Sequence, residues 1–107
     1  MGLKSLHAVP VDNKLAMRLD KLQEKLDELY QAGKKVAYVV ATFGTTDAFG
    51  IDDVAAIRKI IDETAQRYSA VVPHLHVDAA VGWTLCFFGD YDLQKNPLKF
   101  SEELLPW

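Results

Sequence analysis

Residues 73–83 read Pro-His-Leu-His-Val-Asp-Ala-Ala-Val-Gly-Trp. On a strand, side chains alternate between faces, so His74, His76 and Asp78 would share one face in an H-x-H-x-D pattern. Three chemistries fit such a stretch: a metal cluster, a buried strand with incidental polar groups, or one wall of a cofactor pocket. A metal centre needs more ligands than these. The chain has only one other histidine, His7, and Ala79 stands where a neighbouring ligand is expected, so no metal is expected here. In the purely structural reading, His76 is a hydrogen-bonded core histidine and Asp78 a cap or turn residue. His74, directly after Pro73, is expected at the surface.

Other reaction chemistries find less support. Cys86 is the single cysteine, with no histidine at a motif spacing, and is expected to be a packing residue. There is no G-x-S-x-G elbow. The stretch FGTTDAFG at 43–50 has glycines at 44 and 50, but lacks both the Lys-Ser/Thr of a P-loop and the third glycine of a dinucleotide fingerprint.

The elements that must position these residues follow from periodicity. Leucines at 15, 19, 22, 26 and 29 alternate steps of four and three, which predicts an amphipathic helix over 14–32. Asp12 and Asn13 are its expected caps, Gly33 its stop, and Lys21/Glu24 and Lys25/Glu28 its surface pairs. The apolar, β-branched run that follows predicts a strand over 36–42, covered on both faces. A second helix is expected over 52–68, capped by Asp52, with Val54, Ile57, Ile61, Ala65 and Tyr68 turned inward. A strand at 74–78 completes a βαβ unit, which is parallel and right-handed almost without exception.

The expected fold class is therefore α/β, a partial three-layer α/β/α arrangement around a parallel βαβ core. In open parallel sheets ligands bind beyond the carboxyl ends of the strands. Gly44-Thr45-Thr46 after the first strand and Asp78 at the end of the second would face the same crevice. Two strands are too few for a stable parallel sheet, and the closing SEELLPW starts a helix that Pro106 cuts short, so the chain is expected to be an incomplete piece.

Composition narrows the classes further. The 107 residues are half apolar and one quarter charged, as in a soluble globular domain. Twelve basic against fifteen acidic residues give a net charge of −3, with no basic stripe for nucleic acid. The longest apolar run, Val36 to Phe43, is far short of a membrane span. MGLKSLH has no signal core, and Ser5 lies one place too early for myristoylation. With one cysteine and no leader, a cytoplasmic setting is expected.

Three stretches carry a resemblance. VPVD at 9–12, VVATFGTTDAFGIDD at 39–53 and HLHVDAAVGW at 74–83 occur in the order and approximate spacing of the group II pyridoxal 5′-phosphate (PLP) decarboxylases, enzymes of the aspartate-aminotransferase fold. FFGDYDLQKNPLKF resembles a longer bacterial branch with an insertion, giving an insertion-like loop over 83–100. The resemblance implies that residues 1–107 are part of the large PLP-binding domain of fold type I. It also implies an L-amino-acid decarboxylase, a carboxy-lyase releasing CO2 through a substrate–PLP Schiff base.

By that resemblance Asp78 bonds the pyridine nitrogen, Ala80 is the small residue beneath the ring and Thr46 contacts the cofactor; His76 is a further candidate, better suited to supporting the strand. The family's H-K motif for the covalent lysine is missing. Lys95 and Lys99 follow Asp78 without a preceding histidine, so no catalytic residue is expected in this chain and the lysine is expected downstream. The intact enzyme is expected to be a homodimer acting on a small amino acid, and the isolated chain to be inactive. Two alternatives stay open: another fold-type-I PLP enzyme such as an aminotransferase, or a non-catalytic α/β module associating through its sheet edges and Trp83, Phe87 and Phe88.

Overall fold

The computed structural model describes residues 3–88, 92, 94–97 and 99; the side chains of Leu3 and of Cys86, Phe87 and Phe88, and with them the expectations placed on those last three, lie outside the described part. The main elements are α1 (Leu19–Gln31), β1 (Tyr38–Thr42), α2 (Val54–Arg67) and β2 (His74–Asp78), followed by a 3-10 helix over Gly82–Phe88. The expected insertion-like loop 83–100 thus opens as helix. Residues 89–91, 93, 98 and 100 of it lie outside the described part.

β1 and β2 pair in parallel, from Tyr38 opposite His74 to Thr42 opposite Asp78. Leu22 and Leu26 of α1, Val39 and Ala41 of β1, and Ile57 and Ile61 of α2 form one buried cluster. Both helices therefore serve the same apolar core, to which β1 gives alternate residues. The fold class is α/β with a parallel βαβ core, but the expectation that β1 is covered on both faces is corrected. Tyr38 is 62 % and Val40 54 % exposed, and His74, His76 and Asp78 are exposed beside them. Among the described residues, helices cover one sheet face and leave the other open.

The first helix starts later than its leucine spacing suggests. Asp12 Oδ1 accepts from the N–H groups of Lys14 and Ala16, and the Asp12 N–H donates to the Ala16 carbonyl. This Asx turn competes with helix and holds Leu15 at φ 64°, exposed and off the helical face. Asp12 and Asn13 consequently cap nothing: the N-cap position of α1 is Arg18, which makes no side-chain cap bond. The far end follows the sequence expectation. Gly33 sits at φ 70°, its N–H donates to the Tyr30 carbonyl and that of Lys34 to the Leu29 carbonyl, a Schellman closure.

The second helix begins at Val54 because Asp53, not Asp52, is the N-cap, accepting from the Ala56 N–H at 2.9 Å. Ile57, Ile61 and Ala65 are buried as expected, while Val54 and Tyr68 are half-buried. Thr64 is fully buried as well, and exchanges hydrogen bonds with Gln23 of α1 at 2.9 and 3.2 Å. That pair fixes the register of the two helices, since a buried hydroxyl without a partner is costly.

Both expected surface pairs on α1 form, Lys21–Glu24 at 2.6 Å and Lys25–Glu28 at 2.5 Å. The hydrogen bond from Lys25 holds the Glu28 carboxyl below its ordinary value, and that from Arg18 does the same for Asp20. For a carboxyl lowered on folding, the stabilisation is complete above the ordinary carboxylate range and is lost as the pH falls through the lowered values. Carbon-detected titration of Glu28 and Asp20 is expected to show midpoints below those of the unfolded chain; equal midpoints would refute the pairing. Ile61→Ala, at a site with no exposure, should cost about 2–5 kcal/mol in denaturant unfolding. Lys59→Ala, whose pair with Glu63 spans 3.9 Å in solvent, should change stability by no more than about 0.5 kcal/mol.

Candidate functional site

The parallel ladder runs to the last residue of each strand. Beyond the Thr42–Asp78 pair, the Phe43 N–H still donates to the Asp78 carbonyl at 2.8 Å. Both strands therefore end at one edge, and the GTT loop and the D-A-A-V-G segment leave from there together.

Loop 43–51 closes on itself. Phe43 and Ile51 form an antiparallel bridge, and the N–H groups of Gly44 and Thr45 both donate to the Gly50 carbonyl at 3.0 and 3.1 Å. The Gly50 N–H returns a bond to Thr45 Oγ1 at 2.7 Å, and the Phe49 N–H donates to the Thr45 carbonyl. The first threonine of the pair is thus consumed in holding the loop. The second, Thr46, stands exposed in the turn that follows.

The base of the loop is held by Asp52, which is only 5 % exposed. Its Oδ2 accepts from the Thr42 N–H at 2.7 Å, its Oδ1 from the Met17 N–H at 2.6 Å, and its own N–H donates to the Thr42 carbonyl at 2.9 Å. Asp52 therefore joins the entry of the loop, its exit and the segment ahead of α1. Below the loop, a Cβ on Gly50 would come within 2.9 Å of the Leu15 carbonyl oxygen, so the Asx turn at 12–16 is packed against it.

Two glycines bring the loop against the segment after β2. Gly44, at φ 92°, would place a Cβ 3.0 Å from the Cα and N of Gly82. A Cβ on Gly82 would fall 1.9 Å from the Phe43 oxygen. The main chains touch here, and only hydrogen fits between them. Gly82 opens the 3-10 helix, whose next residue, Trp83, donates its N–H to the Ala79 carbonyl at 2.9 Å.

At this edge Asp78 is exposed, its Oδ1 accepting from the Ala80 N–H at 3.2 Å. No cationic side chain pairs with it among the described residues. Ala79 is half-buried and Ala80 exposed, so a carboxylate is followed by small side chains. His76 lies opposite Val40 on the open sheet face and is exposed, which corrects its reading as a core histidine. His74 is exposed too, edge-on to Tyr38 with ring centroids 5.5 Å apart. No hydrogen bond joins Thr46 to Asp78; what brings their segments together is the Gly44–Gly82 contact. Lys95 is exposed and paired with Asp92 at 3.1 Å.

Sequence reasoning assigned Asp52 to the helix cap, gave Thr45 no task of its own within the GTT loop, and did not anticipate the contact at Gly82. Helical periodicity starts at Val54, so the residue just before it, Asp53, is the natural cap, which leaves Asp52 for another task. Gly82 carried a weaker signal, since an isolated glycine marks a close approach only when its neighbour is known.

A family model described as the pyridoxal-dependent decarboxylase conserved domain matches residues 1–90. The chain is 35 % identical over 104 residues to an L-2,4-diaminobutyrate decarboxylase of Acinetobacter baumannii, covering 97 % of this chain and 19 % of that protein. It is 33 % identical over 102 residues to an aromatic-L-amino-acid decarboxylase of Bos taurus, covering 95 % and 20 %. An L-aspartate decarboxylase of Metarhizium robertsii is 33 % identical over 87 residues, 81 % of this chain and 16 % of that protein. The chain spans about a fifth of the length of the first two relatives.

Gly82→Ala tests the main-chain contact. The clash is with backbone, which cannot swing aside, so the loop and the post-β2 segment must part. Amide exchange at Phe43, whose N–H is held by Asp78, is expected to quicken by at least about tenfold, the factor one hydrogen bond supplies. Unchanged exchange would show that the two segments are not held by this contact.

Proposed function

The chain belongs to the pyridoxal-dependent decarboxylase family, and on that premise we propose that it forms part of a PLP-dependent L-amino-acid decarboxylase, a carboxy-lyase acting on a small amino acid. The observation that carries this reading is Asp78: an exposed carboxylate, unpaired with any cation among the described residues, at the carboxyl end of a parallel strand. A cationic ring nitrogen is a suitable partner for it, and the small side chains of Ala79 and Ala80 leave room beside it.

When bound, pyridoxal 5′-phosphate supplies a conjugated electron sink for the pair released from the α-carbon as CO2 departs. The residues of this chain hold and bias that group. Asp78 would hold a proton on the pyridine nitrogen, because an ionised carboxylate accepts a charge-assisted hydrogen bond from it and favours the charged ring. Ala80 would be the small residue that leaves room for the ring, Thr46 would offer a hydroxyl from the loop, and His76 would be a further contact from the open sheet face. The lysine that bonds the cofactor is expected downstream, outside these 107 residues, and the intact enzyme is a cytoplasmic homodimer.

The relatives at 33–35 % identity are named for different amino acids. No helix among the described residues is long and apolar enough to cross a membrane.

In the protein expressed from its complete reading frame, Asp78→Asn should lower kcat on the order of 10²-fold, as when one preorganised electrostatic partner is removed. Asp78→Glu, which keeps the charge, should recover part of that loss. An Asp78→Asn enzyme with undiminished kcat would reject the assignment. The isolated 107-residue chain, incubated with PLP and dialysed, should retain no visible absorption and release no CO2; retained colour abolished by replacing Lys95 or Lys99 would overturn the expectation of a downstream lysine.

A further inference from the structure

The Asp52 carboxylate is buried but pairs with no cation among the described residues. Its two oxygens are instead spent on two backbone N–H groups, Met17 at 2.6 Å and Thr42 at 2.7 Å. Burying a charge for this purpose is expensive unless charge-assisted bonds offset it. Helix initiation does not require it, because Asp53 already caps α2. What Asp52 adds to the Phe43–Ile51 bridge is a tie across the mouth of loop 43–51 that joins Thr42 at the entry and Asp52 itself at the exit to Met17 ahead of α1. From that mouth, close main-chain contacts lead on to Gly44, to Gly82 and to the residues after Asp78.

We propose that Asp52 is a positioning residue for the cofactor edge: by clamping the base of loop 43–51 it sets where Thr46 stands, and through the Gly44–Gly82 contact it sets the path of the chain after Asp78. This rests on the reading of that edge as the PLP-binding wall. The carboxylate is required because two donors face it and an amide offers one acceptor oxygen. In Asp52→Asn one N–H, of Met17 or of Thr42, is left facing an NH2 group, and the loop shifts to relieve it.

The test uses the protein from its complete reading frame, as wild type, Asp52→Asn and Leu26→Ala. The last removes buried volume from α1 without touching the loop, and so controls for lost stability alone, which thermal unfolding measures for each variant. Apo-protein is titrated with pyridoxal 5′-phosphate, and the visible circular dichroism of the bound cofactor reports its orientation.

Asp52→Asn is expected to weaken PLP binding by about tenfold, the factor of one hydrogen bond, and to change the visible dichroism. Leu26→Ala, with an equal or larger loss of melting temperature, is expected to leave both unchanged. Equal effects of the two variants would reduce Asp52 to a stability element and reject the inference. PLP binding and dichroism insensitive to Asp52→Asn would reject it alone. Wild-type protein that takes up no PLP would reject the functional reading and this inference with it.

Discussion

Parallel pairing of β1 with β2 is the constraint on which the remaining geometry depends. An antiparallel pair would send the GTT loop and the D-A-A-V-G segment to opposite ends of the sheet. The crossover through α2 makes the strands parallel, so that both carboxyl ends lie at one edge with Thr42 opposite Asp78. The crossover holds because α2 buries Ile57, Ile61, Thr64 and Ala65 completely, and α1 adds Leu22 and Leu26 to the same core. The packing of two helices on one sheet face thus fixes which loops meet on the far side of the strand ends.

At the edge itself the controlling contact is between main chains. Apolar packing tolerates exchange of one side chain for another of similar size, but the approach of Gly82 to the Phe43 carbonyl leaves no space for a single methyl group. Hydrogen bonding works at the same scale. Thr45 and Asp52 are both consumed in fastening loop 43–51, whereas Thr46, Asp47 and Ala48 of the loop, with Asp78 and Ala80 beside it, are left exposed. The division between residues that build the edge and residues that face outward is carried by hydrogen bonds that span from 5 residues, at Thr45, to 35, at Asp52.

Much of this was legible in the sequence where a periodic pattern meets a single dominant force. The β2 stretch alternates cleanly, and the inward residues of α2 are mostly those its 3.6-residue period selects. Legibility failed where local polar bonding outcompetes the period. Leu15 fits the leucine spacing of α1, yet Asp12 binds the N–H groups of Lys14 and Ala16 and twists Leu15 out of the helix. It failed too where burial depends on a distant partner. Val40 looks like an interior residue, but its exposure is decided by whether anything covers the open face. Thr64 looks like a surface residue of α2, and only Gln23, 41 residues earlier, makes its burial tolerable. In the candidate site, Asp78 and the GTT loop could be placed at one edge from topology alone, whereas the Gly44–Gly82 contact could not, since spacing carries no information about how closely two main chains approach.

The neighbouring residues Asp52 and Asp53 show how little separates the two kinds of role. They are identical in chemistry and adjacent in sequence, but Asp53 faces the first turn of α2, where the Ala56 N–H needs an acceptor. Asp52 points the other way, toward a strand end and a turn that arrive from 10 and 35 residues distant. A cap can be replaced by serine, threonine or asparagine at small cost, because any short acceptor satisfies one N–H. A clamp on two separate N–H groups has no such substitutes among the short side chains, for only a carboxylate presents two acceptor oxygens and no donor. The edge that carries Asp78 is therefore more exposed to change at Asp52, which a ligand need never touch, than at the neighbouring aspartate that starts the helix.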